Sequence, residues 1–302
     1  MHARGAPYRG WLIAVGFLLV AAVTGLAYAK PGMLRHSQGP YWKRIWSDNF
    51  IGPAGSGINT DYWRYQTGRG IFGNGSVEVM TSSRANVHLD GHGTLDITAL
   101  HQGTEWTSGR IQTRAAFTPP AGGALRVVAT LQQPDPVVGL GYWPAFWMLG
   151  RGAWPSHGEI DILEDVDGLS EHSGALHCGN LKQLNGDGTY GPCHEYNGRS
   201  SGTRPCPGCQ TGFHTYGVII DRRNPADEQI RWYLDHREFF SVSEGQVGAA
   251  AWNTAVNHGF SIIFDLAIGG TFPNLRCDCV TPSALTTSGG TLQVRNVAVY
   301  SS

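Results

Sequence analysis

From about residue 41 onward, apolar residues recur in short alternating runs between clusters of Gly, Pro, Asn and Asp, and no apolar repeat of helical period lasts three turns. The pattern predicts strands over 85–100, 215–221, 229–234, 260–268 and 291–300 within one domain, with no internal repeat. In 291–300, Leu292, Val294, Val297 and Val299 alternate with Gln293, Arg295 and Asn296, but the phase slips once, which predicts a bulge. The stretches 183–204 and 277–290 are rich in Gly, Asn, Ser, Thr and Pro and read as long loops stapled by disulfides.

Composition narrows the class. The chain has 302 residues with 42 Gly, 10 Trp, 41% hydrophobic and only 15% charged residues. It can bury a large core, and it suits a loop-rich all-β domain rather than a helical bundle, a disordered chain or a fibre. A net charge of −1 supplies no basic field for a phosphate backbone, so nucleic acid is excluded as a partner.

Arg4 and Arg9 precede an uncharged stretch, 11–29, that closes on Ala27-Tyr28-Ala29 before Lys30. This reads as a secretory signal peptide (1–29) and a short leader (30–40) ahead of a domain over 41–302. The rival reading is an uncleaved anchor, the one case in which the chain would meet a membrane. Either way the domain is exported. Its six cysteines, Cys178, Cys193, Cys206, Cys209, Cys277 and Cys279, are then expected in disulfides, with the pairing open except that Cys277 and Cys279 are expected not to pair with each other. The alternative is a zinc site of Cys206, Cys209, Cys277 and Cys279.

The most informative run is Glu159-Ile160-Asp161-Ile162-Leu163-Glu164, preceded by Trp154-Pro155 and Gly158. In a strand Glu159 and Asp161 share one face while Ile160 and Ile162 enter the core. Strict alternation would bury Glu164, at a cost, whereas a one-residue bulge near Leu163 turns Leu163 inward and returns Glu164 to the acidic face. A helix would separate the two glutamates by about 140°. Three carboxyls on one face repel, so at least one pKa should rise. Glycosidic cleavage needs such a pair, one carboxyl protonated and the other ionised. Calcium binding or a solvated acidic face would use the same residues.

Together with the upstream run Trp143-Pro144-Ala145-Phe146-Trp147-Met148-Leu149-Gly150, this strand resembles the signature of glycoside hydrolase family 16 in its bulge-containing, laminarinase-like form. Similar elements stand at 46–50, 73–78, 108–111, 213–216, 229–235 and 265–270, so the resemblance spans about 41–300. It implies a β-jelly roll sandwich of two antiparallel sheets with a concave substrate cleft. It also implies a retaining mechanism in which Glu159 is the nucleophile, Glu164 the general acid/base and Asp161 the residue that hydrogen-bonds the nucleophile. Asn74 and Arg110 match positions that hydrogen-bond sugar hydroxyls, and His177 resembles a histidine beside the catalytic strand.

From alternation, Trp143, Ala145 and Trp147 share one face, so at least one indole is expected to form a sugar platform, against the reading that both are core. Trp106, Trp232 and Trp252 are left unassigned between core and cleft, and His157 and His214 are read as closer to structural residues. The chain departs from the family pattern at Asn74-Gly75-Ser76 ahead of Glu78 and at Asp265, and its cysteines resemble a cysteine-rich branch. Relatives hold calcium on the convex side, but Arg295-Asn296 lacks the expected Asp. No cofactor and no catalytic metal are therefore expected, with little room for a structural calcium ion. The reading is a secreted, monomeric, retaining endo-β-glycanase whose partner is a polysaccharide, a β-1,3-glucan first. The alternatives are a β-1,3-galactan hydrolase and a non-catalytic carbohydrate-binding protein.

Overall fold

The alternating segments assemble into two large antiparallel sheets in the computed structural model, which describes residues 41–70 and 73–302. The expected signal peptide and leader lie outside the described residues. One sheet runs, in order, Arg199–Ser200, Glu171–His177, Glu159–Glu164, Tyr142–Gly150, Phe260–Ile268, Arg110–Thr113 and Trp63–Tyr65. The other runs Arg237–Ser243, Gln229–Leu234, His214–Asp221, Ala124–Gln132, Thr291–Ser301, Leu95–Thr98 and Val87–Leu89, with Lys43–Asp48 also paired to Thr291–Ser301. A small third sheet joins Gly68–Arg69, Val79–Met80, Glu105–Ser108 and Leu100–Gln102. This is the all-β class that the sequence pattern predicts, in the jelly-roll sandwich that the family resemblance implies.

One core unites both large sheets. Phe146, Met148, Ile160, Ile162, Leu163 and Phe264 from the first and Val127, Ala129, Val218, Trp232, Val294 and Val299 from the second are all buried in it. Trp106, Trp232 and Trp252, unassigned from the sequence, are buried in the core.

The expected strands at 229–234 and 260–268 match the observed ones, and 215–221 starts one residue earlier. The expected 85–100 segment is instead a hairpin. Asp90 Oδ1 accepts the N–H groups of His92 (2.7 Å) and Thr94 (2.9 Å), closing a turn through Gly91 and Gly93, both at φ 87°. The phase slip near the C-terminus is a bulge: Thr130 faces Asn296 and Leu131 faces Val294, leaving Arg295 between them. Three short helices, Glu244–Val247, Ala249–Val256 and Thr271–Cys277, escape the sequence pattern because none reaches three turns.

The disulfides are Cys178–Cys193, Cys206–Cys209 and Cys277–Cys279. The last corrects the expectation that Cys277 and Cys279 stay unpaired. Asp278 adopts the left-handed region (φ 51°), which folds the chain back and sets the two Cα atoms 5.1 Å apart, within the ordinary disulfide range. With all four of its thiols consumed in two separate local bridges, the alternative zinc site does not form. Stretch 183–204 is loop apart from Arg199–Ser200 and the first residue of the short strand Arg204–Pro205, and Cys178–Cys193 ties it to the end of the Glu171–His177 strand. Among the described residues no helix is long and apolar enough to cross a membrane.

Candidate active site

The bulge predicted near Leu163 is present and decides the site. Trp147 pairs with Asp161 but Phe146 pairs with Leu163, so Ile162 is the inserted residue. On the other side Asp161 faces Ala175 while Glu164 faces Ser173. Ile160, Ile162 and Leu163 are fully buried, and Glu159, Asp161 and Glu164 remain together on the opposite face. The insertion leaves the backbone carbonyl of Asp161 to the core, where the indole N–H of Trp232, from the other sheet, donates to it at 2.7 Å. Gly174 makes room, since a Cβ there would lie 2.6 Å from Trp232 Cδ1.

Antiparallel register extends the acidic face sideways. Glu159 stands opposite His177, whose Nε2 lies 3.8 Å from Glu159 Oε1 and 3.3 Å from Asp161 Oδ2. Ala145 stands between Glu164 and Asp265, and Asp265 faces Arg110. The Trp143 indole donates to Glu164 Oε1 (2.9 Å) and the Trp147 indole to Asp265 Oδ1 (2.6 Å). Arg110 donates through Nε to Gln66 Oε1 (2.5 Å), and its guanidinium carbon sits 4.7 Å from the centre of the Trp147 ring. Glu78 is buried nearby, accepting from Ile268 N–H (2.9 Å) and Ser76 Oγ (3.1 Å).

The electrostatics follow from this crowding. Burial and then the charge of Asp161 push both Glu159 and Glu164 above the ordinary carboxylate range. The opposing influences differ. Glu159 is favoured as an anion by the charges of His177 and Arg110; Glu164 is favoured by the Trp143 N–H and less by His177, and is disfavoured by Asp265. Burial would lower the pKa of His177, but its contacts with Asp161 and Glu195 and the charges around it outweigh burial and hold it well above the usual histidine value. Asp265 is also raised, by burial first, with Arg110 and Trp147 opposing.

A family model described as the XgeA-like catalytic GH16 domain matches residues 77–210. The crystal structure of an endo-1,3-beta-glucanase from Streptomyces sioyaensis superposes with a TM-score of 0.79 at 42% identity, covering 86% of this chain and 96% of that one. The chain belongs to glycoside hydrolase family 16. A beta-glucanase of Rhodothermus marinus is 30% identical over 262 residues, 80% of each chain. Glucan endo-1,3-beta-glucosidase A1 of Niallia circulans is 29% identical over 85% of this chain, which spans 37% of that longer protein.

In this family 16 domain the matched segment carries Glu78, Arg110, Trp143, Trp147, the acidic strand and His177, while Asp265 arrives from a later strand. Of the residues singled out from sequence, Glu159, Asp161, Glu164, His177, Trp143, Trp147 and Arg110 converge on one face. Asn74 stands beside it: its carbonyl accepts from Thr271 N–H (2.9 Å), and a Cβ on the neighbouring Gly270 would lie 3.2 Å from Trp143 Cζ3. Asn74 Oδ1 is engaged by Ser76 N–H at 3.1 Å. Trp143 and Trp147 are half-buried with their N–H groups on acids, so they tune carboxyls as well as offering ring surface. His214, in a strand of the other sheet, pairs with Asp235 (2.7 Å), and His157 packs near His258. Glu195 was missed. It sits in the low-complexity loop, with no local pattern to mark it, and contacts His177 at 2.6 Å.

Proposed function

We propose that this glycoside hydrolase is an exported, monomeric endo-β-1,3-glucanase that retains anomeric configuration. Glu159 serves as nucleophile, Glu164 as general acid/base and Asp161 as the residue that holds them in different protonation states. The observation that carries this reading is the bulge that returns Glu164 to the face of Glu159 and Asp161. The electrostatic asymmetry supports the division of roles, because the two cations beside Glu159 favour its anion. The glucanase relatives support the β-1,3-glucan, and the uncharged N-terminal stretch with three disulfides supports export.

In the first step the Glu159 carboxylate attacks the anomeric carbon as Glu164 passes its proton to the departing glycosidic oxygen. In the second, Glu164, now ionised, takes a proton from water as that water displaces Glu159. The two steps return both carboxyls to their starting states. Asn74, Arg110, Trp143, Trp147 and His177 border the acids and are the residues placed to meet sugar hydroxyls and ring faces.

The test is product analysis on laminarin, mixed-linkage glucan and β-1,3-galactan, with NMR of the earliest products. Laminarin cleavage giving β-anomers first, abolished in Glu159→Gln and Glu164→Gln, is expected. Cleavage of galactan alone reassigns the substrate, and binding without turnover by the native protein removes the enzymatic reading.

A further inference from the structure

Beyond the three acids, one buried ion pair has no place in the scheme above. Glu195 has no exposed side-chain surface. Its Oε2 lies 2.6 Å from His177 Nδ1, and its Oε1 accepts the backbone N–H of Cys178 at 2.8 Å. His177 turns its other nitrogen to the acidic strand, 3.3 Å from Asp161 Oδ2. The imidazole therefore bridges a carboxylate on the 183–204 loop and the carboxylates of the site. The loop is fastened on both sides of this contact. Cys178 and Cys193 are bonded next to His177 and two residues before Glu195, and Glu195 and Tyr190 exchange backbone hydrogen bonds of 2.7 and 2.8 Å. Gly198 of the same loop lies against the ring edge, where a Cβ would come 3.0 Å from Cε1 and 3.1 Å from Nε2.

We infer that Glu195 is a positioning residue for glycosidic cleavage, holding His177 as an imidazolium, hydrogen-bonded to Glu195 and ion-paired with Asp161, whose charge keeps Glu159 ionised. The inference rests on the proposed roles of Glu159 and Glu164. A neutral imidazole could donate to Glu195 but would bring no charge to the carboxylates 3.3 and 3.8 Å from Nε2; the imidazolium does both. Buried charges persist when paired and hydrogen-bonded, as both oxygens of Glu195 are. The groups facing His177 are Glu159 and Asp161 from the acidic strand, Glu195 from the loop and the uncharged Trp154 ring at 5.6 Å, with Glu164 further along the face. Discharging Glu195 should therefore make His177 lose its proton more readily and make Glu159 harder to ionise.

The experiment pairs a direct titration of His177 with kinetics on laminarin. In the native protein, NMR of labelled histidine is expected to show His177 protonated well above the ordinary histidine range, and Glu195→Gln should lower its pKa by at least one unit. In the same variant the acidic limb of kcat/KM should move up by half a unit or more, with kcat reduced about tenfold and KM within twofold. Glu195→Asp keeps the charge on a shorter arm and should shift both readouts less, in the same direction; it also serves if the glutamine variant does not fold. Placed on His177→Asn, the Glu195→Gln change should add nothing to the kinetic loss. An unchanged His177 titration, an unmoved acidic limb, or a full additional loss in the His177→Asn background overturns the inference. A native protein inactive on every glucan instead overturns the glucanase reading and with it the role in cleavage, while the titration still decides the ion pair.

Discussion

The indole N–H of Trp143 donates to Glu164 Oε1 at 2.9 Å, from a strand directly beside the one that carries the acid. A donor to the carboxylate favours its ionised form, so Trp143 restrains the rise that burial and Asp161 impose on Glu164. Trp143→Phe removes the donor and should raise the Glu164 pKa further. The alkaline limb of kcat then moves to higher pH, since the proposed acid stays protonated longer. A pH–rate profile checks this, and an alkaline limb moving down contradicts it.

Stability should carry the same signature. Glu164 holds its proton more tightly when folded than when unfolded, so the native state binds more protons across the interval between the ordinary glutamate pKa and the raised one. Its contribution is neutral below that interval and becomes destabilising as pH rises through it. Glu164→Gln, uncharged at every pH, should melt above the native protein by a margin that grows from pH 4 to pH 9. Thermal scans at several pH values would show it; a constant margin counts against the raised pKa.

Trp232 supports the bulge from behind. Its N–H satisfies the Asp161 carbonyl, and Trp232→Phe leaves that buried carbonyl unpartnered at a cost of about 1–3 kcal/mol, to which the smaller ring adds a cavity. Because the bulge aligns Glu164 with Glu159, kcat should fall on the order of tenfold or more. Denaturant unfolding and kinetics together test this: lost stability with full kcat would show the bulge holding without the bond.

The Cys178–Cys193 bridge closes a span of 15 residues immediately inside the His177–Glu195 contact. Replacing both cysteines by Ser should cost roughly 3 kcal/mol through loop-closure entropy. The melting midpoint should drop on the order of 6–12 °C. The acidic limb should shift as in Glu195→Gln, because the loop carries that carboxylate. Calorimetry and the pH profile report the two effects separately.

No metal enters the proposed chemistry, although Glu159, Asp161 and His177 place ligand atoms within 4.8 Å of one another. Dialysis against a chelator should leave kcat on laminarin unchanged, and added zinc should inhibit by competing for these atoms. Loss of activity on chelation, restored by one divalent ion, would reverse that assignment.

Local pattern carried the acidic strand a long way. Alternation put Glu159 and Asp161 on one face, and the cost of burying Glu164 demanded an inserted residue, which Ile162 supplies. The same reasoning placed Trp143 and Trp147 on that face but left Trp106, Trp232 and Trp252 unassigned. It failed where conformation departs from the local norm: Cys277 and Cys279 pair because Asp278 turns left-handed, and the helices are too short to show a period.

Side-chain period in a strand is a local property, so the sequence by itself determined the all-β class, the acidic face and its bulge, while the two-sheet sandwich came from the resemblance to family 16. Which groups meet those acids is a matter of how distant segments return. Glu195 lies 18 residues from His177, Trp232 71 residues from Asp161, and Asp265 118 residues from Trp147. No periodicity spans such separations; only sheet order, strand register and loop closure decide them. The tertiary structure therefore set the electrostatics of the site, since each of those partners fixes a charge or satisfies a buried atom beside the carboxyls.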